Sequence, residues 1–463
     1  MATPYERAAN YKEWIETEEY QSAVADVTRR LEKVGIEAVY FVSPSVDGRP
    51  IGKMVTREQF PRFAQRGIRM HPLAFTDFRS TLWGDPIGFG QEDPENAMVA
   101  DWTTFRQLPW QPKFARVLCF YYDFDSGEML DIDPRGTLAR HEHTFQQETG
   151  ASMFTGIEPE MMWLRKKADG SLEHTTDALA FYEIAYLEEF EPIMIDLLEY
   201  GRAMGLRISH ADSEDRSQIE VNQVAASALG YVDDFWTYRQ ICRIVARKHG
   251  LIATFMPKPF MGCSANGHHH NLSLVNEAGE NVLEGDLKGT CQLSQLGVNF
   301  LGGLIEHADS ITLVGAPTAN SYKRFWDVGF WAPFHKSYGF NNRSCLFRVH
   351  AGRIEARQMD ASCNPYLSVG ACLMAGLDGI RRGLDPGEPM QDNRMTDIRV
   401  PRDERIPITL NEAIDAFKAD ELMTELFGPS LYETFAGLRQ DDLDRHWAQV
   451  SAWELDFYLE RWP

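Results

Sequence analysis

Two short segments, almost two hundred residues apart, alternate charged side chains with apolar or small ones: Glu158-Pro159-Glu160 and Arg353-Ile354-Glu355-Ala356-Arg357. Successive side chains on a β-strand point to opposite faces, so each segment lays its charges along one face. Two carboxylates side by side on such a face repel unless they are solvated or share cations. A further acidic stretch, His210-Ala211-Asp212-Ser213-Glu214-Asp215, leads into Gln218-Ile219-Glu220-Val221, where Glu220 alternates with apolar neighbours. These read as strands with one wet, acidic face. Oxygen-rich groups of this kind suit Mg²⁺ or Mn²⁺ better than zinc. The flanking arginines suit carboxylate or phosphate.

The remaining composition narrows the class. At 463 residues the chain has room for two or three domains and a large core. Its 44% hydrophobic and 25% charged residues are those of a globular protein. A net charge of −22 disfavours nucleic acid and anionic membranes as partners. No apolar run approaches the ~20 residues of a membrane span, and Met1–Arg7 does not read as a signal peptide, so a cytoplasmic location is expected. Seven cysteines without a C-x-x-C pair read as buried thiols rather than disulfides or structural zinc ligands.

The periodicity predicts α+β organisation. A helix is expected over 18–33, with Val24, Val27, Leu31 and Val34 on one stripe, then long loops over a small sheet across 70–113. The turn Asp123-Phe124-Asp125-Ser126-Gly127 divides the chain into domains at 1–125 and 126–463. Beyond it, helices are expected over 137–149, 187–204, 233–248, 292–308 and 367–377. Strands are expected over 151–164, 218–223, 269–274, 344–350 and 353–360. No G-x-G-x-x-G follows a strand and no Walker loop is present, which disfavours a doubly wound nucleotide fold. In Asn266-Gly267-His268-His269-His270-Asn271-Leu272-Ser273, alternation separates His269 from His268 and His270. Basic residues recur in Asn320-Ser321-Tyr322-Lys323-Arg324, in Asn342-Arg343-Ser344 and at Arg348.

Taken in order, E-x-E, Q-x-E-x-N, H-x-N-x-S, N-S-Y-K-R, N-R-S and R-I-E-x-R resemble the glutamine synthetase family over nearly the whole chain, as do Asp133-Pro134-Arg135 and Asn364-Pro365-Tyr366-Leu367. The resemblance implies a small N-terminal β-grasp domain and a large catalytic domain with a curved antiparallel sheet. It also implies a dodecamer of two stacked hexamers, with active sites between subunits. The implied reaction is ATP-dependent: the γ-carboxylate of L-glutamate attacks ATP, and an amine captures the γ-glutamyl phosphate. Two divalent ions, Mg²⁺ or Mn²⁺, assist. On the matching positions, Glu158, Glu160, Glu214, Glu220, His269 and Glu355 are implied metal ligands, with Asp212 a rival to Glu214. Asn266, Gly267, Arg324 and Arg357 are implied for glutamate, and Ser273, Arg343, Arg348 and Arg353 for ATP. Arg324, Arg343 and Arg357 carry the implied catalytic roles at the transferring phosphoryl group.

One departure bears on substrate. Ammonia-using members close the site with a glutamate in G-Y-E-A-P, whereas this chain reads Gly329-Phe330-Trp331-Ala332-Pro333. An indole cannot accept a proton as a carboxylate does; it offers an apolar face instead. The family's second histidine is replaced by Asn271. The nucleophile is therefore expected to be an organic amine, aromatic or alkyl, as in γ-glutamylanilide synthases and γ-glutamylalkylamide synthetases of bacterial amine degradation. Phe325, Trp326, Phe330, Trp331 and Phe334 are its expected pocket, Asp327 an alternative base, and Asp77 the residue reaching a neighbour's amine site. True glutamine synthetase and a catalytically silent family member are the competing readings. No tyrosine loop of adenylylated members precedes Ile406-Pro407-Ile408.

Overall fold

In the computed structural model, which describes residues 3–176, 181–285, 292–327, 331–393 and 398–461, the first long helix is Glu18–Val34. Thr17 caps it by accepting from the Tyr20 amide, and Gly35 ends it in the left-handed region at φ 73°. Val24, Val27 and Leu31 are buried as the stripe predicts, while Val34 is half exposed. The helix belongs to the N-terminal unit, whose strands are β1 (Ala38–Pro44), β2 (Pro50–Thr56), β3 (Ile68–Met70), β4 (Asn96–Leu108) and β5 (Gln111–Tyr122). Their order is β2-β1-β5-β4-β3, with β1 and β5 parallel at the centre and antiparallel neighbours outside, as in a β-grasp sheet. The expectation of loops across 70–113 fails at β4. Asn96 to Trp102 are all buried, so the strand reads as an unbroken run without the alternation that marks a half-exposed strand.

After the Asp123 turn, whose carboxylate accepts from the amides of Asp125 (3.0 Å) and Ser126 (2.7 Å), Asp133 caps helix Pro134–Thr149. One Asp133 oxygen takes the Arg135 amide and the other the Tyr121 amide, each at 3.0 Å, which ties β5 to the helix start. Arg135 is buried. It bonds Asp101 of β4 and Asp233 of helix Ala228–Lys248, each at 2.7 Å, with its guanidinium over Phe120 at 4.1 Å. Arg135→Leu would leave both aspartates uncompensated, so a stability loss of about 3–5 kcal/mol is expected, read as a lowered denaturant midpoint.

The remaining strands are β6 (Ala151–Pro159), β7 (Met162–Lys166), β8 (Leu172–His174), β9 (Ile208–Ser213), β10 (Ile219–Gln223), β11 (Ala226–Ser227), β12 (Ile252–Thr254), β13 (His268–Asn276), β14 (Tyr338–Phe340), β15 (Phe347–His350) and β16 (Arg353–Ala356). The larger sheet runs β11-β6-β13-β16-β15-β14. It is antiparallel except for the β14–β15 edge pair, which is parallel, a departure from the expected antiparallel sheet. The strand expected over 151–164 is two strands. Pro159 ends β6, because it has no amide hydrogen for the ladder, and β7 joins a separate sheet with β12 and β8. Similarly, 187–204 is split at Phe190 before Pro192, giving Ile184–Glu189 and Glu191–Met204. The helix expected over 292–308 starts after its cap Ser294, as Gln295–Glu306, and a second helix, Ala308–Gly315, follows His307. The strand expected over 353–360 stops at Ala356.

One face of the large sheet packs on helices Ala228–Lys248 and Pro365–Arg382. The Tyr231 hydroxyl accepts from the Ile157 amide (2.8 Å), Phe235 lies 4.7 Å from His268, and Ser368 meets His270 at 2.8 Å. Burial pushes His268 and His270 below the ordinary histidine range, so both sit neutral behind the sheet. The six described cysteines are buried; Cys291 lies outside the described residues. Among the described residues, no helix is long and apolar enough to cross a membrane.

Candidate active site

The opposite face of the sheet carries the charges. Register places His269 beside Glu158 and Asn271 beside Glu355, so three adjacent strands deliver their polar side chains to one patch. Donor atoms of Glu158, His269 and Glu355 lie within 4.8 Å of one another. His269 Nδ1 is 3.4 Å from Glu158 Oε2 and 3.5 Å from Glu355 Oε1, and the Asn271 amide donates to Glu158 Oε1 at 3.0 Å. Glu355, almost fully buried, is held by Arg348 Nη1 at 2.7 Å and by Arg357.

The β9–β10 ribbon supplies a second acidic wall. Antiparallel pairing sets Asp212 opposite Glu220, and Glu214 follows two residues after Asp212. Glu160, just past β6, takes the Gly267 amide at 2.6 Å. A Cβ at Gly267 would sit 2.9 Å from His269 Nε2 and 3.0 Å from Glu160 Oε2, so a larger residue there would displace these two side chains. Glu158, Glu160, Asp212, Glu214, Glu220 and His269 all line one cavity of about 750 Å³. Arg324, Arg343, Arg353 and Arg357 also line it.

Electrostatics divide the carboxylates. Burial, then the charges of Glu160 and Asp212, push Glu214 up to about 8. Burial and the neighbouring Glu158 charge push Glu220 well above the carboxylate range. Burial also opposes ionisation of Glu158 and Glu355, but other groups outweigh it: His269 and Asn271 hydrogen bonds hold Glu158 down, and Arg357, His269 and Arg348 hold Glu355 down. The ribbon side thus carries more carboxylate than its surroundings can compensate. Hard divalent cations fit that oxygen-rich set, to which His269 adds a nitrogen donor.

A profile of the glutamine synthetase catalytic domain matches residues 131–458. The chain belongs to the glutamine synthetase family. It is 32% identical over 446 residues to a glutamine synthetase of Pyrococcus horikoshii, spanning 92% of this chain and 96% of that one. It is 34% identical over 385 residues to a glutamate–methylamine ligase of Methyloversatilis universalis, spanning 80% and 85%. Among solved structures, GmaS in complex with ADP superposes with a TM-score of 0.83 at 28% identity, covering 93% of this chain and 99% of that one. GmaS without ligand gives 0.84 at 29%, covering 94% and 99%. As a member of this family, the chain is an ATP-dependent glutamate ligase.

Several residues matched to family positions do not sit where the matching implies. The Asn266 side chain is fully buried and faces away from the cavity: it accepts from Gln218 Nε2 (2.8 Å) and donates to the Met256 carbonyl (2.8 Å). It is a strut under the Gly267 turn. Arg348 does not line the cavity; it spans Glu355 and Asn341 Oδ1 (2.7 Å) and orients the glutamate. Ser273 does line it. Of the described aromatic residues in this segment, only Trp331 reaches the cavity. Phe325 and Phe334 are buried in the core, and Trp326 is outside, its indole N–H on the Ile408 carbonyl at 2.9 Å. Phe330 lies outside the described residues. Asp327 is engaged by Lys258 (2.6 Å) and the Gly262 amide (2.7 Å) and does not line the cavity. Asp77 pairs with Arg49 and does not face this chain's cavity.

Among the cavity residues that sequence reasoning did not single out are two aromatic neighbours. Phe181 and Tyr182 line the same cavity as Trp331, with Tyr182 at φ 58° and Trp331 at φ 60°. Bulky residues seldom adopt this region. No charged motif or periodicity marks Phe181-Tyr182, so only their placement after the acidic ribbon's hydrogen bond (Tyr182 amide to Ser213 carbonyl, 2.8 Å) reveals them.

Proposed function

We propose that the protein joins the γ-carboxylate of L-glutamate to an organic amine, aromatic or alkyl, through γ-glutamyl phosphate. The observation that carries this reading is Trp331: the position at which ammonia-using members present a carboxylate offers an indole, in a cavity that also receives Phe181 and Tyr182. An arylamine is neutral at pH 7 and needs no carboxylate to remove a proton before attack, so the exchange removes an unneeded charge and adds an apolar contact.

In this reading Glu158, His269 and Glu355 hold one divalent cation, Mg²⁺ or Mn²⁺, and Glu160, Glu214 and Glu220 another. When bound, such ions offset the charge of the phosphate oxygens. Arg324 and Arg357 grip glutamate and the transferring phosphoryl group, while Arg343, Arg353 and Ser273 face ATP. Guanidinium forks suit these planar oxyanions. Arg324 is preset for this work: its Nη1 donates to the Gln358 carbonyl at 3.1 Å, and Asp360 lies 3.8 Å away. Arg348 positions Glu355 rather than touching substrate. Asp212 shares the wall with Glu220 and stays in reserve as a ligand. The N-terminal sheet and the larger sheet belong to two domains meeting near residue 125, and the ring assembly of the family brings Asp77 of one copy to another's amine site.

The direct test incubates the purified protein with ATP, Mg²⁺, L-glutamate and one amine at a time, following ADP and the mass of the product. ADP formation that requires both glutamate and amine, with a γ-glutamyl amide as product, is expected. No ADP with any amine would instead support a silent family member.

A further inference from the structure

A second cavity, about 970 Å³, lies between the N-terminal hairpin, helix Ala228–Lys248, residues 251–257 and helix Pro429–Trp447. Its charge opposes that of the chain. The protein carries −22, yet this cavity is lined by Arg49, Arg79, Arg239, Arg243, Arg247 and Arg439 against Asp47 and Asp442. Three of these arginines are neutralised locally. Arg49 pairs with Asp77, Arg79 with Asp441 (2.8 Å) and Asp442 (2.6 Å), and Arg439 with Asp47. The local carboxylates are thereby used up.

Arg239, Arg243 and Arg247 are different. They recur at four-residue steps on one face of the helix, so their backbones are ~6 Å apart. None of them forms an ion pair among the described residues. Arg239 is fixed in place: its Nη1 donates to the Cys363 carbonyl at 2.9 Å and its guanidinium lies 5.0 Å from the Phe255 ring. Burial, and then the charge of Arg243, draw Arg239 below the ordinary arginine range, as expected of cations lined up without a counter-anion. We propose that this cavity is a second anion site, for a small molecule whose two phosphate or carboxylate groups lie ~6 Å apart and bridge neighbouring arginines.

Arg243 and Arg247 are exposed, so Arg243→Gln/Arg247→Gln leaves the packing intact, with an unchanged thermal midpoint as the control. The full chain and this double variant are titrated calorimetrically with tripolyphosphate and, separately, with citrate, both in EDTA and at two salt concentrations. The expected result is binding to the wild type that weakens with salt and falls at least ~10-fold in the double variant. A response to tripolyphosphate alone identifies a phosphate ligand, and a response to citrate alone a carboxylate. Equal binding by both proteins, or none by the wild type, would overturn the proposal. So would a change of oligomeric state in the variant without any probe binding, since carboxylates of a second copy would then fill the cavity.

Discussion

Replacing Glu355 by alanine is expected to lower kcat/KM for ligation by about 10³-fold, the scale of losing one preorganised electrostatic element of a transition state. Glu355 is the meeting point of the site: Arg348, Arg357 and His269 all converge on it from separate positions. The same change leaves two buried guanidinium groups facing each other, so a stability loss of about 3–5 kcal/mol accompanies it. Glu355→Gln separates the two effects. It keeps the shape and one acceptor oxygen but removes the charge, so it should recover much of the denaturant midpoint while activity stays low. Full activity in the glutamine variant would refute the metal-ligand role.

Trp331→Glu restores the carboxylate of ammonia-using relatives. One charge-assisted contact to an ammonium is worth about 1.5–3 kcal/mol, so the ratio of kcat/KM for ammonia over an organic amine should rise about 10- to 100-fold. The variant already has the backbone it needs, because the Trp331 carbonyl rather than its indole meets Arg357 (3.5 Å). Trp331→Leu serves as the partner experiment: it keeps an apolar contact and should retain the organic-amine preference while raising KM. An unchanged ratio in Trp331→Glu would mean that the indole does not face the amine.

Local chemistry in the chain was readable where a single strand decides it. Alternation alone separates His269 from His268 and His270, and the structure puts the first at the carboxylates and the others behind the sheet. Helix starts were less plain: Asp133 and Asn364 cap helices that begin at Pro134 and Pro365, ahead of the starts expected from apolar periodicity. Register was not readable. That β6, β13 and β16 are neighbours, and that His269 stands beside Glu158, follows from pairing between segments far apart in the sequence, which no local pattern encodes. Family resemblance supplied that convergence. The same resemblance misled at Asn266, since a motif match carries position and not side-chain direction; the competing hydrogen bonds of Gln218 and Met256 turn it inward. Trp326 and Phe334 misled for a simpler reason. Aromatics adjacent on a helix do not share a face, so the short helix Lys323–Trp326 buries Phe325 and exposes Trp326, while Phe334, beyond that helix, is buried in the core. Breaks at Pro159 and Phe190 were missed because apolar periodicity continues across them.

The amine preference is tested most directly by steady-state kinetics on the unmodified protein, with ATP, Mg²⁺ and L-glutamate saturating and the amine varied among ammonia, methylamine, isopropylamine and aniline. At least one organic amine should exceed ammonia in kcat/KM by ~10-fold or more, the scale set by contacts that a hydrogen atom cannot make in an apolar pocket. The highest kcat/KM with ammonia would contradict the organic-amine assignment and return the chain to glutamine synthesis.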